Sequence, residues 1–122
     1  DCNVVLLGGA MTRGEPLTTG VLCNNNLRNF HANKIIMGAA GISGKYGVSD
    51  FSVDVGASKR DMLKRSDEVI CVADFSKFGV NATNCICPIS EITTLVTDWS
   101  TPEAGYAYCV EAGVKVVVAP EL

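Results

Sequence analysis

The stretch that decides the fold is VICVADFSKFG, residues 69–79. Five apolar residues, Val69–Ala73, are followed within six positions by an acid, a hydroxyl, a lysine and a glycine: Asp74, Ser76, Lys77 and Gly79. A short run that is apolar throughout is typical of a strand buried on both faces of a parallel sheet. In open α/β sheets, ligands lie beyond the carboxyl ends of the strands. The stretch therefore predicts a buried strand that ends at a ligand-binding edge.

Similar apolar runs recur along the chain, and helical patterns separate them. Strands are predicted at residues 3–7, 34–37, 69–73, 95–97 and 114–119, and helices at 17–30, 55–64 and 102–112. Residues 38–50 are predicted as a glycine-rich loop, and residues 86–92 as an irregular stretch with room for a short strand or a turn. Ser100 or Thr101 is expected to cap the last helix, and Gly113 to end it. The alternation predicts an α/β domain with a mainly parallel sheet and helices on both faces.

The composition limits the classes of protein to be considered. The chain has 122 residues, 48% of them hydrophobic and 19% charged, with a formal net charge of −3. One globular domain is expected, and the acidic balance argues against a nucleic-acid surface, which needs a basic stripe. No apolar stretch reaches the roughly 18 residues of a membrane span, and no signal-peptide pattern opens the chain, so a cytoplasmic protein is predicted. Because the first predicted strand begins at once and without a methionine, we expect a piece of a longer protein.

The six cysteines give no metal or redox pattern. None of them forms a C-x-x-C pair, and the chain has one histidine, so neither a metal nor a cofactor is predicted. Cysteines inside apolar or helical stretches are expected to pack as small hydrophobic residues. Cys85 and Cys87 form the only pair at a spacing worth testing for redox or metal chemistry.

Four predicted strands end in segments suited to a ligand. They lead into Gly8-Gly9, into the 38–50 loop, into Asp74-Phe75-Ser76-Lys77 and into Asp98-Trp99. Lysines beside loops with exposed backbone N–H groups suit a phosphate or carboxylate. The candidate effector-binding residues are Gly38, Gly41, Ser43, Gly47, Lys59, Asp74, Ser76 and Lys77.

Each candidate has a structural alternative. Asp74 and Ser76 could serve as caps of a local turn, and the glycines as ordinary turn residues. Lys59 could lie on the solvated face of its helix, and Lys77 could be a surface lysine. Asp50 is expected to cap the following helix rather than to contact a sugar, and Trp99 to pack within the fold.

Several segments together resemble one known family. They are NVVLLGGAMTRGEPLTTG, NFHANKIIMGAAGIS, ASKRDM, ADFSKFG and LVTD, in this order. Order and spacing are similar to those of the C-terminal effector-sensing domain of the DeoR family of bacterial transcriptional repressors, over essentially the whole chain. The family's Gly-x-x-Gly loop falls on 38–41, its Lys-Arg pair on Lys59 and Arg60, and its Asp-x-Ser-Lys-Phe-Gly loop on 74–79.

The resemblance implies a fold similar to that of ribose-5-phosphate isomerase and the CoA transferases. It also implies a homo-oligomeric sensor of a phosphorylated sugar or polyol phosphate, which controls DNA binding through an N-terminal helix-turn-helix absent from this chain. Residues 1–122 would then form a non-enzymatic effector-sensing domain that lacks its first strands.

Two departures from the family pattern accompany the resemblance. The family's upstream strand and Gly-Thr-Thr turn have no counterpart here, and its glutamate before the Lys-Arg pair falls on Val55 or Gly56, with Asp54 one step away. The alternatives are a sugar-phosphate isomerase with Asp54 or Asp74 as its base, and an oligomerisation domain that binds no metabolite.

Overall fold

The computed structural model of the chain describes residues 1–121, which form two sheets and three helices. The strands are β1 Ala32–Gly38, β2 Gly41–Ser43, β3 Gly47–Asp50, β4 Ser66–Val72, β5 Asn84–Cys87, β6 Thr94–Asp98 and β7 Lys115–Ala119. The helices are α1 Val21–Leu27, α2 Val53–Leu63 and α3 Glu103–Glu111, with 3₁₀ turns at Phe75–Lys77 and Ile89–Glu91. Within residues 1–121, none of the helices has the length and apolarity needed to cross a membrane.

The larger sheet is parallel and has the strand order β1-β4-β6-β7. Gly38 pairs with Val72, Val72 with Val96, and Val96 with Val117, so the carboxyl ends of all four strands lie at one edge. The predicted α/β fold with a parallel sheet is therefore confirmed. Strand order follows chain order, and crossovers between parallel strands are right-handed. The helical crossovers through α2 and α3 therefore lie on the same face.

That face of the sheet forms the core of the protein. The sheet contributes Ile35, Met37, Val69, Cys71, Ala73 and Leu95, all of them buried. Met62 and Leu63 of α2 and Tyr106 and Tyr108 of α3 pack against this cluster, and so do buried residues of the smaller sheet, among them Ile42, Val48 and Ile86. Burial of this kind contributes about 25 cal/mol for each Å² of apolar surface removed from water.

The opposite face of the sheet is apolar but open. Its central positions are Ile36, Ile70, Val72, Val96 and Val117, which alternate with the core positions along their strands. Ile36 is 72% exposed and Val72 45% exposed. The prediction placed helices on both faces, and among the residues that the structure describes both α2 and α3 pack on the core side.

The predicted loop at residues 38–50 is wrong, because it contains two strands. β2 and β3 form an antiparallel hairpin, and β5 joins its other side to complete a three-stranded sheet. The hairpin turns at residues 44–46, and β3 begins at Gly47, whose φ of +71° favours glycine. The stretch 86–92, predicted as irregular with a short strand or a turn, contains both. They are the end of β5 and the 3₁₀ turn Ile89–Glu91.

Two predictions near the start of the chain also fail. Residues 3–7 form no strand, and Val4, Val5 and Leu6 are exposed, because nothing within residues 1–121 pairs with this segment. The helix predicted at 17–30 is shorter, Val21–Leu27. Gly20 precedes it with a φ of +88° and gives no side-chain cap, so the helix cannot begin earlier.

Candidate functional site

The turn after β4 is held by its own side chains. Asp74 caps the 3₁₀ turn Phe75–Lys77, and its Oδ1 accepts a hydrogen bond of 2.8 Å from the backbone N–H of Ser76. The hydroxyl of Ser76, and then its backbone N–H, hold the pKa of the Asp74 carboxyl below its ordinary value. Asp74 and Ser76 therefore do form the local cap that was the alternative interpretation, and one carboxylate oxygen of Asp74 remains outside that backbone contact.

The turn is attached to the hairpin of the smaller sheet. The backbone N–H of Gly79 donates to the carbonyl of Ile42 at 2.8 Å, and the hydroxyl of Ser43 donates to the side chain of Asn81. The chain passes so close to Gly41 that a Cβ there would overlap the carbonyl oxygen of Val80. The Gly38–Ser43 segment and the 74–79 turn are therefore parts of one unit.

Lys59 connects three elements at the same edge. From α2, its ammonium donates to the carbonyl of Gly38 at 2.6 Å and to Oδ2 of Asp50 at 2.8 Å. The Lys59 and Asp50 side chains are only 17% and 14% exposed. Oδ1 of Asp50 accepts from the backbone N–H of Ser52 at 3.2 Å, but the helix cap is Ser52 itself, whose hydroxyl accepts from the backbone N–H of Val55, so the capping role expected for Asp50 is wrong. Lys59 therefore lies at the carboxyl end of β1 and not on a solvated helix face.

Asp98, at the end of β6, has a role that the sequence did not reveal. Its Oδ1 accepts from the backbone N–H of Phe75 at 2.9 Å and from the hydroxyl of Thr101 at 2.8 Å, and Ser100 donates to its Oδ2. The hydroxyls of Ser100 and Thr101 are the main reason why the pKa of the Asp98 carboxyl lies below its ordinary value. Asp98 thus ties the 74–79 turn to the segment before α3. An acid directly after an apolar strand was the only signal for it.

A crevice of about 210 Å³ lies between the ends of β4 and β6. Its lining is Val72, Ala73, Asp74, Val96, Thr97, Asp98 and Ala119. Several of these residues belong to the open face of the sheet, so the crevice continues that face to the carboxyl edge.

The structure brings most of the candidate residues to one place. Gly38 and Val72 are paired, so the carbonyl of Gly38, to which Lys59 donates, lies beside the start of the 74–79 turn. Lys77 is half-buried and, within residues 1–121, forms no ion pair. Ser43 and Gly47 are the exceptions, because they pair with each other at the far end of the hairpin. A side chain at Gly47 would collide with Cys87, and the hydroxyl of Ser43 donates to Asn81. Trp99 is 56% exposed, so the packing role expected for it is wrong.

Four of the six cysteines belong to the core, whereas Cys2 and Cys85 are exposed. Cys23, Cys71, Cys87 and Cys109 are buried, and burial raises the pKa of the Cys71 thiol to about 11 and that of Cys87 to about 12. Such thiols are unreactive at neutral pH. Among the described residues, no group of three His, Cys, Asp or Glu side chains is placed to hold a metal ion.

Comparisons with known proteins agree on one family. The family described as the DeoR C terminal sensor domain matches residues 1–99. The HTH-type transcriptional regulator GolR of Listeria innocua is 32% identical over 98% of this chain and 47% of its own length. The HTH-type transcriptional repressor GlcR of Bacillus subtilis is 28% identical over 98% of this chain and 46% of its own length. The glycerol-3-phosphate regulon repressor of Escherichia coli is 28% identical over 84% of this chain and 40% of its own length. The chain thus spans less than half the length of these relatives.

Proposed function

The chain belongs to the family of DeoR C terminal sensor domains, and from that premise we propose that it is the effector-sensing part of a cytoplasmic bacterial transcriptional regulator. Its effector is a small phosphorylated sugar or polyol phosphate. Binding of the effector changes DNA binding by a helix-turn-helix part that lies outside this chain. The regulator works as a homo-oligomer, and the domain is not an enzyme.

The observation that carries this proposal is the pair of lysines at the carboxyl ends of neighbouring parallel strands. Lys59 lies at the end of β1, and Lys77 follows the end of β4. Ligands of open α/β sheets are bound at this edge. In a chain with a net charge of −3, the charge of Lys59 is shared with Asp50, whereas Lys77 forms no ion pair within residues 1–121 and favours an anionic ligand.

Each part of the effector has a matching group. Lys77, which forms no ion pair within residues 1–121, suits the phosphate. The carboxylate of Asp74 and the hydroxyl of Ser76 suit sugar hydroxyls. One relative is named for the glycerol-3-phosphate regulon, and glycerol-3-phosphate is a small polyol phosphate.

The isomerase alternative has weaker support. A general base needs a pKa near the working pH. Asp74 has a pKa below its ordinary value because it accepts hydrogen bonds from Ser76. Asp54 is an exposed residue in the first turn of α2. The lowered pKa makes Asp74 a weaker base, and Asp54 is not among the residues that line the crevice.

Phosphorus NMR with a panel of sugar phosphates and polyol phosphates tests the proposal. We expect the signal of one compound to broaden or shift without new signals, and Lys77→Gln to weaken that binding at least about tenfold. Lys64→Gln removes an exposed lysine of the same charge and is expected to leave the affinity unchanged. New phosphorus signals would show turnover and favour the isomerase. Equal binding by wild type and Lys77→Gln would contradict the proposed site.

A further inference from the structure

Lys59 is not free to receive an anion in this structure. Two of its three ammonium protons are directed to the carbonyl of Gly38 and to Oδ2 of Asp50, at 2.6 Å and 2.8 Å. Its charge is therefore balanced by a carboxylate at the place where an effector phosphate would approach. Lys77, by contrast, forms no ion pair among residues 1–121.

Asp50 is fixed in this position by both of its oxygens. Oδ1 accepts from the backbone N–H of Ser52 at the start of α2, while Oδ2 accepts from Lys59. The residue also belongs to β3, where it pairs with Asn84 of β5. Because backbone and helix hold it, Asp50 cannot easily move away, and its negative charge stays close to Lys59.

We propose that Asp50 is an internal competitor that sets the anion specificity of the site. This inference rests on the proposed function, because it concerns the same carboxyl edge of the sheet. An approaching phosphate is attracted by Lys59 but repelled by Asp50 over nearly the same distance, and the low exposure of the pair limits screening by water. An anion without other contacts gains little from such a pair.

The consequence is selection against inorganic phosphate. A sugar phosphate brings hydroxyl groups that can bind elsewhere in the pocket, so it can offset the repulsion from Asp50. Inorganic phosphate brings only its charge. Asp50 is thus a specificity-determining residue that allows the sensor to respond to the sugar ester and not to the free anion.

The decisive variant is Asp50→Asn, tested with inorganic phosphate at constant ionic strength. Asparagine keeps the Oδ1 acceptor for Ser52, so the start of α2 is retained, but it removes the negative charge. We expect Asp50→Asn to bind inorganic phosphate about tenfold more tightly than wild type, within the usual range of coupling between two ligands. The readout is the dissociation constant from phosphorus NMR and from the backbone amide signals of Gly38 and Gly41.

Two further variants separate competition from a general change in charge. Asp61→Asn changes the net charge by the same amount on the helix that carries Lys59, and we expect its affinity for inorganic phosphate to stay within twofold of wild type. Combining Asp50→Asn with Lys59→Gln should abolish the gain in affinity for inorganic phosphate, because the lysine for which Asp50 and phosphate compete is gone. Equal gains in Asp50→Asn and Asp61→Asn would overturn the proposal.

The melting temperature gives an independent check on a merely structural role. We expect Asp50→Asn to melt below wild type without phosphate, because it loses an ion pair, and yet to bind phosphate more tightly. Lower stability with unchanged or weaker phosphate binding would show that the pair is only structural, and the proposal would be wrong. In that case a sugar phosphate bound through Lys77 would still support the sensor function, whereas failure of the Lys77→Gln test would remove both.

Discussion

The two faces of the parallel sheet are built from the same kinds of residue but differ in what covers them. Neighbours in β1 show the contrast, since Ile35 is 8% exposed and Ile36 is 72% exposed. Three elements, α2, α3 and the smaller sheet, all pack on the Ile35 side. The continuous apolar runs predicted burial on both faces. These runs indicate that both faces of the strands are suited to burial. Among residues 1–121, only one face is covered.

The largest effect is expected on the covered face. Leu95 is fully buried in β6, at the centre of the core cluster. Leu95→Ala removes its side-chain contacts and leaves a cavity, which costs about 2–5 kcal/mol of the free energy of unfolding. Urea denaturation measures this, and Val96→Ala, the next residue but on the open face, serves as the control at less than about 1 kcal/mol. Equal losses in both variants would mean that the faces do not differ in solution.

A second, smaller effect is expected where the hairpin approaches the 74–79 turn. Gly41→Ala places a methyl group against the carbonyl of Val80, and we expect a loss of about 1–3 kcal/mol because backbone must move. Gly105→Ala is the matched control, since its Cβ would meet only ordinary contacts in α3. Alanine is favoured over glycine there by up to about 1 kcal/mol. Urea denaturation measures the stability of both variants. If Gly41→Ala were as stable as wild type, the close approach of Gly41 to Val80 would be contradicted.

The covered face was largely predictable from the sequence, whereas the smaller sheet was not. Val69–Ala73 and residues 95–97 were recognised because buried parallel strands are apolar at every position. The segments GIS and GVSD, which form β2 and β3, are short and mostly polar or glycine, so they have the pattern of a loop. Residues 3–7 have the pattern of a strand, but a strand also needs a neighbouring strand with which to pair. The periodicity of the sequence does not show whether such a neighbour is present.

The candidate site followed the same division. The residues at strand ends were expected because the topology rule fixes the ligand edge of a parallel sheet. The Lys59–Asp50 pair joins α2 to a strand that had been predicted as loop, so its geometry could not be foreseen. Asp98 acts through side chains of the following turn, and Thr101, expected as a helix cap, donates to Asp98 instead.

A third effect concerns the carboxyl edge, where the covered and open faces meet. The folded pKa of Asp98 lies below its ordinary value of 3.8, so this carboxylate stabilises the fold above that pH. The contribution is lost as the pH falls through the lowered folded value. We expect Asp98→Asn to melt below wild type at about pH 7, and the gap to close as the pH falls below the ordinary value. Glu111→Gln, an exposed acid on α3, is expected to show no such gap. A gap that widened at low pH would contradict the assignment.

The smallest effect is expected on the open face, and it is the most informative. Ile36→Thr changes a side chain that is mostly in water, so the free energy of unfolding should change by less than about 0.5 kcal/mol. Ile35→Thr, one residue away, buries a hydroxyl in the core and is expected to cost about 1–3 kcal/mol. Denaturation at several protein concentrations measures the change in the free energy of unfolding for both variants. If Ile36→Thr proved costly, and the cost grew with concentration, a second copy would be covering the open face. If the cost were large at every concentration, the open face would be covered by this chain itself, and the contrast between the two faces would be wrong.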